Sequence, residues 1–143
     1  MKNWPEIVFN SHYLTAVEVK KSLEQGEVME AEEGIEQLIE AMARADRRAV
    51  KSQLVCLMKH IIKWKTQVEK RSLSWVRSVH NARIEIFDIQ EETPSITNKV
   101  INELWERAFE QALAEAEEEM SGKCSLVAAL TWEEVFNDEY LLQ

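Results

Sequence analysis

Cys56, His60 and Trp64 follow one another at intervals of four, a spacing that puts all three on one face of a helix. A histidine beside an aromatic wall could act as a general base or a ligand, and a cysteine and a histidine one turn apart could hold two positions of a metal site. A metal site needs a second pair of ligands, and none is identifiable. His12 and His80 are remote in sequence. The plainer reading is a histidine satisfied by a neighbour at a helix interface. Carboxylates recur at helical spacing in Glu36/Glu40 and Glu115/Glu119. Bundle di-metal sites add Glu-x-x-His motifs from other helices, and this chain has none. These glutamates therefore read as solvated helix faces, and the sequence assigns no catalytic residue, metal or cofactor.

The charge distribution carries more information. Formal net charge is −9, yet the segment from Arg44 to Arg83 holds eleven basic residues against Asp46 and Glu69. The rest of the chain is strongly acidic. Arg44, Arg47, Arg48 and Lys51 cluster first; Lys59, Lys63, Lys65, Lys70, Arg71 and Arg77 gather around the run LMKHIIKWKTQVEKRSLSW, Leu57 to Trp75. One reading is a surface for phosphates, with Trp64 or Trp75 stacking on bases as in RNA binding. The other is internal: acidic helices from both ends of the sequence pack beside the basic segment and neutralise it. The residues in question for interaction or anion binding are Arg47, Arg48, His60, Lys63, Trp64, Lys65, Lys70, Arg71 and Trp75. Arg71, Ser72, Ser74 and Trp75 also have a structural role to play. The serines can cap a helix, Arg71 can bond carbonyls left free at a helix end, and Trp75 can bury against the preceding helix.

The elements that must position these residues are helices. Glycine occurs three times and proline twice in 143 residues, while Glu, Ala, Leu, Lys and Arg dominate, which predicts an all-α protein. The length fits one domain, residues 1–143, with 1–10 as an N-terminal arm. Its apolar runs are too short and too charged for a membrane span, and MKNWPEIVF lacks the features of a signal peptide. A soluble cytoplasmic protein is the simplest inference. Cys56 and Cys124 make no disulfide framework and read as small buried hydrophobes.

In order, Trp4-Pro5 argues against helix in the arm. A first helix spans Ser11 to Gln25, with Tyr13, Leu14, Val17 and Leu23 as its apolar side and Gly26 as its stop. From Val28 a sustained pattern through Ile35, Leu38, Ile39, Met42, Leu54, Leu57, Met58, Ile61 and Trp64 favours one long or slightly kinked helix to Thr66, about 58 Å at 1.5 Å per residue, over a break at Gly34 or near Ala43 to Asp46. A turn follows, across which Trp64 and Trp75 can pack. The next helix, capped by Ser72 or Ser74, has Trp75, Val76, Val79, Ile86, Phe87 and Ile89 as its core side. Ser95 caps another, carrying Val100, Ile101, Leu104, Trp105, Ala108, Ala112, Leu113 and Ala116 to a stop at Gly122. Thr131-x-x-Glu134 is a capping box opening a short terminal helix.

The run H-I-I-K-W from His60 to Trp64, then Gln67, Glu69, Arg71 and the S-x-S-W of Ser72 to Trp75, resembles the signature of the bacterial domain of unknown function 29 family. Supporting pieces stand in family order: L-x-x-G at Leu23 to Gly26, Arg47-Arg48 followed by Ser52, Arg83, P-S-I at Pro94 to Ile96, and the TWEEVFNDEYL terminus. The resemblance covers nearly the whole chain. Departures are Ser11 and Thr15, where the family often has an acidic residue and a tryptophan, Gln37 and Leu38 in place of a Glu-Glu pair, and Val68 in place of a proline. The resemblance implies an all-helical fold and no established biochemical role.

Together these readings predict a helical bundle of four main helices, one of them long, with a short C-terminal helix. They favour a non-enzymatic structural or protein-interaction module, with a homo-oligomer or another protein as partner. The alternative is a nucleic-acid-binding protein using the basic segment 44–83.

Overall fold

The computed structural model describes residues 2–120, 122 and 127–142. Cys124 lies outside them. The fold is all-α, with α1 (Trp4–Asn10), α2 (His12–Glu24), α3 (Val28–Thr66), a 3-10 turn (Val68–Lys70), α4 (Leu73–Glu92), α5 (Asn98–Met120) and α6 (Trp132–Phe136). The chain divides into two compact units, Met1–Arg47 and Arg48–Gln143, the boundary falling within α3.

In the first unit the arm is itself helical, against the expectation drawn from Trp4-Pro5. Proline stands in the first turn, where a helix has no use for its missing N–H, and the Asn3 side chain accepts from the Glu6 amide. Trp4 is almost wholly buried. A Cβ on Gly34 would come within 2.6 Å of its indole ring, so glycine at 34 is the seat of Trp4. The indole N–H donates to Glu30 Oε1 at 2.9 Å and the Lys2 backbone N–H to the same oxygen at 3.1 Å. The Lys2 ammonium donates to Glu18 and to the Ser22 hydroxyl. Hydrogen bonding from the Lys2 amide, then from Trp4, holds the Glu30 carboxyl below its usual value. Hydrogen bonding from the Lys2 ammonium does the same for Glu18.

Gly26, at φ 78°, ends α2 as the sequence predicts, while Ser11, expected as the first residue of that helix, is its cap. The buried side of α2 is Thr15, Val19 and Ser22, whereas Tyr13, Leu14 and Leu23, expected inside, are exposed. The same correction applies to the start of α3. Ala31, Gly34 and Ala41 are buried there, while Ile35, Ile39 and Met42 are exposed. The apolar core of this unit is small, Trp4, Val19 and Ala31 with Ile7 packed against them.

The second unit carries a larger core. Val50, Leu54, Leu57, Met58, Ile61 and Ile62 of α3 pack with Val79, Ala82 and Ile86 of α4, Val100, Ile101, Ala108, Ala112 and Ala116 of α5, and Val127, Leu130 and Val135. The alanine stripe of α5 lets its backbone approach closely, while Trp105 stacks on Trp132 beside Phe136. On α4, Phe87 is exposed and Trp75 and Val76 are half-buried, so the inner face is narrower than the sequence predicts. Thr97, not Ser95, caps α5: its hydroxyl accepts from the Val100 amide. The Thr131–Glu134 capping box forms as expected.

Candidate functional site

The corner between α3 and α4, in the second unit, holds most of the residues singled out by sequence. It is built from the end of α3 outward. Arg71 Nε donates to the Trp64 carbonyl at 2.9 Å, satisfying an acceptor that the helix terminus leaves open. The same guanidinium lies 4.5 Å from the centroid of the Trp64 ring. Arg71 therefore closes α3 and roofs its last tryptophan, while Ser72 caps α4 by accepting from the Trp75 amide. The two indoles do not pack on each other. Trp64 meets Tyr140 edge-on at 5.8 Å, and Trp75 lies beneath the Lys63 ammonium at 5.8 Å. A cation, longer in reach than an aromatic ring, spans each gap.

The last three lysines of α3 point at carboxylates. Lys59 pairs with Glu115 at 3.5 Å and Glu119 at 3.2 Å, and Lys63 with Glu119 at 3.3 Å. The tail of α5, expected to be a solvated face, is thus in part a counterion for α3. Burial pulls the Lys59 ammonium downward, but the hydrogen bond and charge of Glu119 and the charge of Glu115 outweigh it, leaving its pKa raised. Burial likewise pushes Glu119 up, and the two lysines more than reverse it. Lys65 reaches Glu134 in α6. Glu134 also serves the capping box, and against burial these bonds keep it ionised below its usual value.

A second clamp shares that place. Arg83 donates to the carbonyls of Val135 at 2.8 Å and Glu134 at 3.2 Å, and the Tyr140 hydroxyl donates to the Glu134 carbonyl at 2.6 Å. Burial, and then the charges of Asp138 and Glu134, push the Tyr140 phenol up to about 12. In the sequence Arg83 stands out only as a charge and a family position, and Tyr140 only as part of the family-like TWEEVFNDEYL terminus. Their joint role depends on a partner more than fifty positions away, which no local pattern reports.

Cys56 and His60 do come together, in a form unsuited to chemistry. His60 Nδ1 lies 2.8 Å from the Cys56 carbonyl. A carbonyl only accepts, so Nδ1 carries the proton and cannot take one from the Cys56 thiol 3.8 Å away. Burial raises the thiol pKa. Burial also lowers that of the imidazole, helped by Lys63 and Lys59 and opposed by the bond to Cys56. The pair is a neutral thiol and a neutral histidine, not an activated nucleophile with its base. Among the described residues no group of three His, Cys, Asp or Glu is arranged to hold a metal, and no helix is long and apolar enough to cross a membrane.

Of the remaining candidates, Lys70 is exposed on the 3-10 turn, and Arg47 and Arg48 are exposed on α3, about three turns or more before His60 at 3.6 residues per turn. The corner offers one open cleft of about 550 Å³, lined by Trp64, Val68, Arg71, Glu139, Leu141 and Leu142. Arg71 and Glu139 bring opposite charges to its lining, with the Nε of Arg71 held by the Trp64 carbonyl.

No curated protein and no solved structure matches the chain. Residues 11–141 match the family described as Domain of unknown function DUF29, and since that span runs from the cap of α2 to the residue after Tyr140, the chain belongs to that family.

Proposed function

We propose that the chain is a non-enzymatic helical module that works by binding another protein chain through the first unit. The observation that carries this reading is the apolar surface of that unit: Phe9 is 90% exposed, Met29 85% and Tyr13 76%, with Ile35, Ile39 and Met42 also exposed. So many large apolar groups around so small a core are characteristic of an interaction face. The corner supports the same reading from the other side. Its lysines at 59, 63 and 65 already answer carboxylates of the chain, which weakens the case for a phosphate-binding surface there, and His60 has no partner to activate.

The test is to purify the chain under native conditions, alongside a Phe9→Ser/Tyr13→Ser/Met29→Ser variant, and to map what each retains by hydrogen exchange. The expected result is protein bound to the wild type with amides of residues 4–47 protected, and loss of both in the variant. Retained nucleic acid with protection centred on Arg44 to Arg77, and none on residues 4–40, would overturn the proposal in favour of nucleic-acid binding.

A further inference from the structure

We infer that the partner of the α3 part of this surface is a positively charged amphipathic helix of another protein, lying along the exposed side of Val28 to Ala43; the inference rests on the protein-binding reading above. That stretch belongs wholly to the first unit. At 100° per residue, Val28, Ile35, Ile39 and Met42 fall within about 60° of helix circumference. All four are exposed, Ile39 by 61% and Val28 by 53%. Beyond one edge of the stripe come the buried Ala31, Gly34 and Ala41. Beyond the other come Glu32, Glu36 and Glu40, spread over about 80°, with the exposed Met29 among them.

Charge selects the occupant. From Val28 to Ala43 the helix carries Glu30, Glu32, Glu33, Glu36 and Glu40 and no basic residue. Glu30 is taken up by Lys2 and Trp4. Glu32, Glu33, Glu36 and Glu40 are exposed, and none makes an ion pair among the described residues. Carboxylates four residues apart on a helix repel one another, and a row of Lys or Arg laid beside Glu32, Glu36 and Glu40 removes that repulsion. The same row turns away phosphate-bearing partners. A second copy, itself at −9, is disfavoured by charge as well.

Shape sets the form of the occupant. The described residues of this unit are helical and present no strand edge, so a segment docking here must satisfy its own backbone, as a helix does. Val28 to Met42 spans about 21 Å, the length of about four turns of a partner helix. Apolar side chains of the partner at i, i+3, i+4 and i+7 meet the stripe, and its cations line the edge beside the carboxylates. Met29 and Met42, unbranched and flexible, adapt to side chains of differing shape.

Calorimetric titration of the full chain with three synthetic peptides of about sixteen residues, long enough for four turns, tests this. One is a helical Leu/Lys peptide with the spacing above. The second has Glu in place of every Lys, and the third keeps the Leu/Lys composition in a scrambled order that forms no apolar face. The first is expected to bind one to one, more weakly at high salt, and at least about tenfold more tightly than either of the others. Glu32→Gln/Glu36→Gln/Glu40→Gln and Ile35→Ser/Ile39→Ser, altering only exposed positions, should each weaken it about tenfold or more with helical circular dichroism unchanged. Glu85→Gln/Asp88→Asn/Glu92→Gln, which takes the same charge from α4, should leave it unaltered. Equal binding of the scrambled peptide, preference for the Glu peptide, or an equal loss in the α4 variant would overturn the inference. So would self-association of the wild type that Ile35→Ser/Ile39→Ser abolishes. A chain that ignores all three peptides yet holds another protein across residues 4–47 would sink the basic helix and leave the broader reading standing; absence of any protein footprint there would sink the broader reading and this inference with it.

Discussion

The two units are held together by different means. In Arg48–Gln143, α3, α4, α5 and the 127–135 segment, with Ile96 between α4 and α5, form a cluster of nineteen buried side chains among the described residues, all apolar, and ion pairs sit at the rim of that core. In Met1–Arg47 the described core is a cluster of Trp4, Val19 and Ala31, with Val8 and Ala41 also buried, and it shares the interior with Thr15 and Ser22, while Lys2, Glu18 and Glu30 stitch α1 to its neighbours. The first arrangement draws its stability from apolar area removed from water. The second depends on one indole in one seat, with polar groups that must each find a partner. Among the described residues, the unit with the smaller core exposes nine large apolar side chains, against six in the other.

The contrast can be broken by substitution. Leu57 is fully buried in the large core, so Leu57→Ala should cost about 2–5 kcal/mol, read from denaturant unfolding; a loss below about 1 kcal/mol would mean that this core is loosely filled. Gly34→Val would drive a side chain into the Trp4 ring and should cost about 1–3 kcal/mol. Hydrogen exchange should show the damage confined to α1, α2 and the start of α3, with α5 amides unchanged. Acceleration spread evenly over the chain would erase the distinction between the units.

Acid should separate the units more finely. Folding depresses the pKa of His60 below its ordinary 6.5, so the unfolded chain takes up that proton first. The resulting stability is complete above pH 6.5 and is lost as pH falls toward the folded value. Glu18 and Glu30 are depressed below 4.5; what they contribute is complete above that pH and is lost only below it. The second unit should therefore begin to weaken at higher pH than the first, and His60→Gln should remove that early step. Exchange rates measured against pH check this, and coincident onset in both units would count against it.

Features that depend on near neighbours were legible in the sequence: the span of α3, the caps at Ser72 and Thr131, the stop at Gly26, and Arg71 closing α3. Periodicity, however, reports that Ile35, Ile39 and Met42 share a face without saying whether anything covers it. Thr15 and Ser22 were unreadable as interior residues because their polarity is cancelled by partners elsewhere, the Ser11 carbonyl for one and Lys2 for the other. Trp4-Pro5 misled because proline forbids a helix interior and not a helix start. At the corner, the basic residues were visible, but Glu115, Glu119 and Glu134 as their counterions were not, since only the tertiary fold brings them near.

The large core also sets a timetable for the nascent chain. Val50 to Ile62 of α3 are made well before Val127, Leu130 and Val135, which help to enclose them. At about 5–20 residues per second the interval is roughly 3–13 s. Throughout it the ribosome-borne polypeptide displays a greasy strip with part of its cover still unmade, which is long enough for a chaperone to engage and makes translation speed across α5 a determinant of yield.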